Sequence, residues 1–134
     1  MKTIRTYKDL KVWQKAYGVA IHIIKIVDLL PHITSMKVIA EQISRSSTSV
    51  CANIAEGYGS NSNNEFARYL GISYKSALET DNWIQVLKGS NKIDDKNIIK
   101  ELEEIEQDNL ESIKMLLSLR KKVKQSNKKD KLQS

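Results

Sequence analysis

The sequence predicts an all-α protein, an antiparallel up-down-up-down four-helix bundle, from three observations. Apolar residues recur at steps of three and four through most of the 134 residues. One proline and five glycines leave little punctuation for the many turns of an all-β fold. Three short connections then divide the chain into four amphipathic segments, which pack most simply as an antiparallel bundle. A chain of this length buries one core without disulfides or a structural metal. Residues 1–124 are therefore read as one bundle domain and residues 125–134 as a basic tail.

The first helix is expected from Lys8 to Leu30, because Pro31 disfavours a helical residue before it. Trp13, Tyr17, Ala20, Ile24 and Val27 follow alternating steps of four and three and are read as its core face. Lys11, Lys15, Gly18, His22 and Lys25 line the opposite face. Ile21, Ile23 and Ile26 widen the apolar stripe beyond the arc one core needs, which predicts contact with another copy or a partner.

The second helix is expected from Met36 to about Glu56, with Met36, Ile39, Ile43, Val50 and Ile54 inward. Its middle, Ser44-Arg-Ser-Ser-Thr-Ser49, is a poor helix by propensity. Helix is still predicted there, because the flanking apolar period continues in phase and small residues permit close approach of a neighbour. Gly57 or Gly59 is expected to end it in the left-handed conformation.

Ser62 and Glu65 have the spacing of a capping box, so the third helix should begin at Asn63. Its inward face runs Phe66, Leu70, Ser73, Ala77, Thr80, Ile84 and Leu87, and it ends near Lys88 with Gly89 as terminator. Asp94 is the expected N-cap of the fourth helix, whose apolar positions are Ile98, Leu102, Ile105, Leu110, Ile113, Leu117 and Val123. Beyond Lys124 only Leu132 is apolar, a composition that cannot offset the entropy of ordering, so the tail is expected to be disordered when unbound.

Little in the sequence points to catalysis, and the chain is read as not an enzyme. His22 and His32 are ten residues apart, with no cysteine pair and no Glu-x-x-His spacing, so neither a metal nor another cofactor is expected. Neither histidine lies near Cys51 or the serine run in sequence, which leaves a nucleophile without a visible base. Gly57-Tyr-Gly59 follows a helix and lacks the third glycine and the lysine of a phosphate loop. No small-molecule substrate is implied. The lone Cys51 is read as a packing residue in a reducing, cytoplasmic protein. The longest apolar stretch, Val19 to Leu30, is broken by His22, Lys25 and Asp28, so no membrane partner is expected.

Charge points to an anionic partner. Seven of the 22 basic residues but one of the 16 acidic ones lie from Arg120 onward, which leaves fifteen of each before it. A basic tail on a neutral body suits a nucleic acid, with counterion release favouring association. The candidate phosphate contacts are Lys8, Lys11, Lys15 and Lys25 on the first helix, with Arg120, Lys121, Lys122 and Lys124 near the end. Tyr7 and Trp13 offer bases a stacking surface if exposed, although helical spacing favours Trp13 in the core. Arg45 is expected to pair with Glu79 or Asp81 across the second and third helices.

Four phrases occur in order: Leu10-Lys-Val-Trp-Gln-Lys-Ala16, Gln42-Ile-Ser-Arg-Ser-Ser47, Ser49-Val-Cys-Ala-Asn-Ile-Ala-Glu-Gly57, and Glu65-Phe-Ala-Arg-Tyr-Leu70 followed by Ser76-Ala-Leu-Glu79. Together they resemble the four-helix-bundle family of proteins encoded in intervening sequences of bacterial 23S ribosomal RNA genes. The resemblance covers roughly residues 7 to 90, and Asn53-Ile-Ala-Glu-Gly57 is its most specific part. Lys75 and Cys51 depart from it, where the family often has glycine and proline. It implies a homo-oligomer, with pentameric relatives. Similar bundles serve diversity-generating retroelements as accessory variability determinants, where a basic surface engages RNA and a reverse transcriptase. Arg45, Asn53, Glu56, Gly57, Glu65 and Glu79 fall at the family's typical polar or glycine positions, with structural roles implied. The function expected is a non-catalytic, homo-oligomeric subunit that binds RNA or a reverse-transcriptase-like nucleoprotein partner through basic surfaces. The alternative is a protein-interaction scaffold without nucleic-acid contact.

Overall fold

The computed structural model describes residues 3–133, and side chains as far as residue 126. Four helices, α1 (Lys11–Val27), α2 (Thr34–Tyr58), α3 (Asn63–Gly89) and α4 (Lys96–Gln133), follow a 3-10 turn at Tyr7–Asp9. No strand occurs among the described residues. Each helix packs on its two neighbours in the ring α1–α2–α3–α4, and none approaches across a diagonal. The short connections make neighbours antiparallel, as the periodicity predicts.

Two apolar clusters fill the interior. One joins Ile23, Ile26, Leu30, Met36, Ile43, Ile84, Leu87, Leu102 and Ile105 toward the α1–α2 turn. The other joins Val12, Ala16, Val50, Ile54, Leu70, Ala77 and Leu116 toward the opposite end.

The chain departs from these expectations in the bounds and core face of α1, in the caps and in the inward face of α4. Helix α1 starts three residues late, because Thr6 and Asp9 form a capping box around the 3-10 turn and Leu10 is extended (ψ 124°). It also stops early, at Val27, where Leu29 and Leu30 turn their N–H groups to the Ile26 and Val27 carbonyls ahead of Pro31. Its core face is rotated from the expected one. Val12, Ala16, Val19, Ala20, Ile23 and Ile26 are buried, Trp13 and Val27 are half-buried, and Tyr17 and Ile24 are 46% and 45% exposed. Both stripes are apolar, but the buried one is aliphatic and small at Ala16 and Ala20. Burying Tyr17 would have required a partner for its hydroxyl. Ile23 and Ile26 are thus core, and the apolar surplus is Trp13, Tyr17 and Ile24.

Helix α2 runs unbroken through the serine segment, as expected, and hydroxyls are what fill the α2–α3 seam. Ser46 and Thr80 Oγ atoms lie 2.9 Å apart, Ser73 Oγ donates to the Val50 carbonyl at 2.9 Å, and Ser76 Oγ donates to Ser49 Oγ. Neither Gly57 nor Gly59 is left-handed; Asn91 (φ 58°) is the one described residue with positive φ. Gly57 is needed for space instead. A Cβ there would stand 2.6 Å from Tyr69 Cβ on α3.

Helix α3 begins at Asn63 as predicted, with Ser62 Oγ accepting from Glu65 N–H at 3.1 Å. The Glu65 carboxylate turns to Arg68, so that half of the box is not formed to the Ser62 amide. In α4 the capping carboxylate is Asp95, which accepts from Asn97 N–H at 2.8 Å, and not Asp94. Leu110 and Leu117 are 38% and 46% exposed, while Asn109, Ser112 and Leu116 are buried. The five-residue step from Ile105 to Leu110 turns about 140° off the core, whereas 105, 109, 112, 116 keeps the helical period. Asn109 satisfies its amide by donating to the Ala77 carbonyl at 2.9 Å. The bounds of α4 pass Lys124; residues 127–134 of the expected disordered tail lie outside the residues with described side chains.

Candidate nucleic-acid interface

The antiparallel topology brings the start of α1 and the far half of α4 to one end of the bundle. Lys8, Lys11, Lys121, Lys122 and Lys124 all lie there, exposed. Lys8 Nζ sits 6.0 Å from the Tyr7 ring centroid. Tyr7 meets Trp13 edge-on at 5.2 Å, and Trp13 stacks on Tyr17 at 4.8 Å with planes 13° apart. An aromatic row thus flanks the lysines, with Tyr17 its most open member.

Three of the eight candidate cations do not join this group as free charges. Lys15 is held by Asp108 at 3.0 Å and Glu111 at 2.7 Å on α4, and these hydrogen bonds, Glu111 first, raise its pKa above the ordinary lysine value. Arg120 turns inward, its Nε donating to the Ala67 carbonyl at 3.1 Å and its guanidinium lying over Gly71, where a side chain would crowd it. Its spacing, four after Leu116 and three before Val123, already places it on the core side of α4. Lys25 is exposed but stands about four turns up α1, roughly 21 Å from Lys11. Lys114, not singled out from the sequence, is exposed beside the cluster and lines a groove with Lys11 and Lys122.

Three motif residues, Arg45, Gly57 and Glu79, serve the α2–α3 seam. Arg45 pairs with Glu79, as expected, and also donates to Gln42, while Trp83 Nε1 donates to the same Glu79 carboxylate at 3.0 Å. The pair is substantially exposed, so it is a surface clamp. Asn53 Nδ2 donates to the Ser49 carbonyl and hydroxyl within α2. Glu65 binds Arg68, which lies 4.6 Å over the Tyr69 ring and holds the Glu65 carboxyl below the ordinary range. Glu56 is exposed. Lys75 is exposed and Cys51 half-buried, so neither departure breaks its helix; burial pushes the Cys51 thiol up. Among the described residues no group of three or more His, Cys, Asp or Glu is placed to hold a metal ion. No described helix is long and apolar enough to cross a membrane.

The family model of the 23S rRNA-intervening sequence protein matches residues 8–118. The chain belongs to that family. The match continues well beyond residue 90, the rough end of the resemblance, and takes in most of α4. It ends before Arg120, so the family span holds Lys8, Lys11, Lys15 and Lys25 but not Lys121, Lys122 or Lys124. A crystal structure of a protein of unknown function from the S23 ribosomal protein family of Bacteroides thetaiotaomicron VPI-5482 is similar, with 32% identity and a TM-score of 0.73 over 82% of this chain and 98% of that one. None of the curated proteins matches the chain. The family and this neighbour indicate no enzymatic class.

Proposed function

We propose that this family member is a non-catalytic, homo-oligomeric subunit that binds RNA or a nucleoprotein partner through the basic end of its bundle. The observation that carries the reading is the gathering of Lys8, Lys11, Lys114, Lys121, Lys122 and Lys124 at one end, in contrast to Lys15, which carboxylates neutralise. Ammonium groups with no carboxylate partner among the described residues suit phosphates without sequence readout. Self-association is supported by Tyr17 and Ile24, with Trp13 beside them, an apolar strip that the single bundle leaves to water. A pentamer is the assembly proposed, and the cytoplasm the compartment. The scaffold alternative rests on the same strip without the lysines.

Light scattering after size exclusion, with and without cellular RNA at low and high salt, tests both parts. The expected result is a particle of five chains that takes up RNA at low salt and releases it at high salt. A particle indifferent to RNA leaves the scaffold reading, and a monomer removes self-association.

A further inference from the structure

We infer that the groove between the start of α1 and residues 114–122 of α4 seats an acidic amphipathic helix of a partner protein. The groove, about 400 Å³, has an aliphatic floor of Leu10, Val12, Met115 and Leu119 and a rim of Lys11, Lys114 and Lys122. A second hollow, lined also by Asp9 and Gln14, shares Leu10 and Lys11 and continues it toward Ile4, which is 49% exposed. The three ammonium groups have no carboxylate partner among the described residues. One turn along α1 from Lys11, the seam with α4 is instead closed by Lys15 with Asp108 and Glu111.

Charge complementarity and shape together select the occupant. Three cations around an apolar floor match carboxylates flanking an apolar stripe, the pattern of a helix laid in a groove with anchors at i, i+4 and i+7. Residues 114–122 span about 12 Å of α4, room for roughly two turns. The groove is open to solvent, so a small ligand would keep much of its surface in water, whereas a helix covers the floor with one face. Met115 supplies an adaptable contact. Nucleic acid fits the floor less well. The lysines alone would take phosphates, and the groove offers bases no aromatic or guanidinium plane on which to stack. The site shares Lys11, Lys114 and Lys122 with the RNA surface proposed above, but it uses the apolar floor, which that reading does not need.

The test uses the full chain and a fluorescent 14-residue helical peptide with leucines at i, i+4, i+7 and glutamates on both flanks; a control peptide carries lysines on the flanks. Ser118→Trp fills the groove from an exposed position and leaves every charge in place, and Lys114→Glu reverses one rim charge. The acidic peptide is expected to bind saturably, the control not, and each variant to weaken binding about tenfold or more. Binding of single-stranded RNA to Ser118→Trp is expected to stay within about twofold of the parent. Absence of saturable peptide binding, or binding that Ser118→Trp leaves unchanged, overturns the proposal. Loss of RNA binding in Ser118→Trp without peptide binding makes the groove a nucleic-acid surface and overturns it too. Peptide binding by a parent chain that takes up no RNA upholds this proposal and removes the RNA reading alone.

Discussion

The α2–α3 and α1–α4 seams close by different physics. Between α2 and α3, Gly57, Ser46, Ser73, Ser76 and Thr80 bring the backbones close, and buried hydroxyls find partners across the gap. Between α1 and α4, Lys15 pairs with Asp108 and Glu111 and His22 Nε2 hydrogen-bonds the Glu101 carboxylate at the rim, and one end stays open as the lysine-rimmed groove. A close-packed seam tolerates no added volume, whereas a charge-laced one tolerates substitution and leaves surface available. The quoted family motifs lie largely on the first seam and the proposed binding surfaces on the second, so the motifs specify how the bundle holds together more than what it binds.

Substitutions should separate the seams. The largest effect is expected from Gly57→Leu, whose side chain meets Tyr69 and forces the helices apart, at about 3 kcal/mol by chemical denaturation. Gly18→Ala is its control: nothing lies near the added methyl, and a stabilisation of roughly 0.5–1 kcal/mol is expected from helix propensity. Comparable loss at both glycines would refute the close-approach account. Next comes Ser46→Ala, which deprives Thr80 of its cross-helix partner at about 1 kcal/mol, a cost that high salt should not change.

On the α1–α4 side, Lys15→Gln should cost less than about 1 kcal/mol, and the difference from the parent should vanish as salt rises. A loss as large as that of Gly57→Leu would show that the two seams are not distinct. The smallest effect concerns acid. Gln85 foremost, then Lys88, hold the Glu106 carboxyl below its ordinary value near 4.5, although burial opposes them. A depressed carboxylate contributes stability that is fully present above its unfolded value and is lost as pH falls through the folded one. Glu106→Gln should therefore flatten the fall in melting temperature below about pH 4.5, and an unchanged acid limb would exclude Glu106 as a contributor.

The helix count, the start of α3 at Asn63, the continuity of α2 and the inward residues of α2 and α3 were legible in the chain. In each case one helical face is plainly apolar or small, so periodicity has a single solution. The sequence also carried the concentration of positive charge toward the end and a pairing of Arg45 with Glu79 or Asp81, which the fold resolves to Glu79. The face of α1 was not legible, because two apolar stripes compete there and packing chose the aliphatic one over that with Tyr17. The inward turn of Arg120 was within reach of its spacing from Leu116 and Val123. The neutralisation of Lys15 was not, since Asp108 and Glu111 lie some ninety residues away in the chain. Local patterning fixes which residues share a face. Which lysines stay free to meet a partner depends on charges that only folding brings beside them.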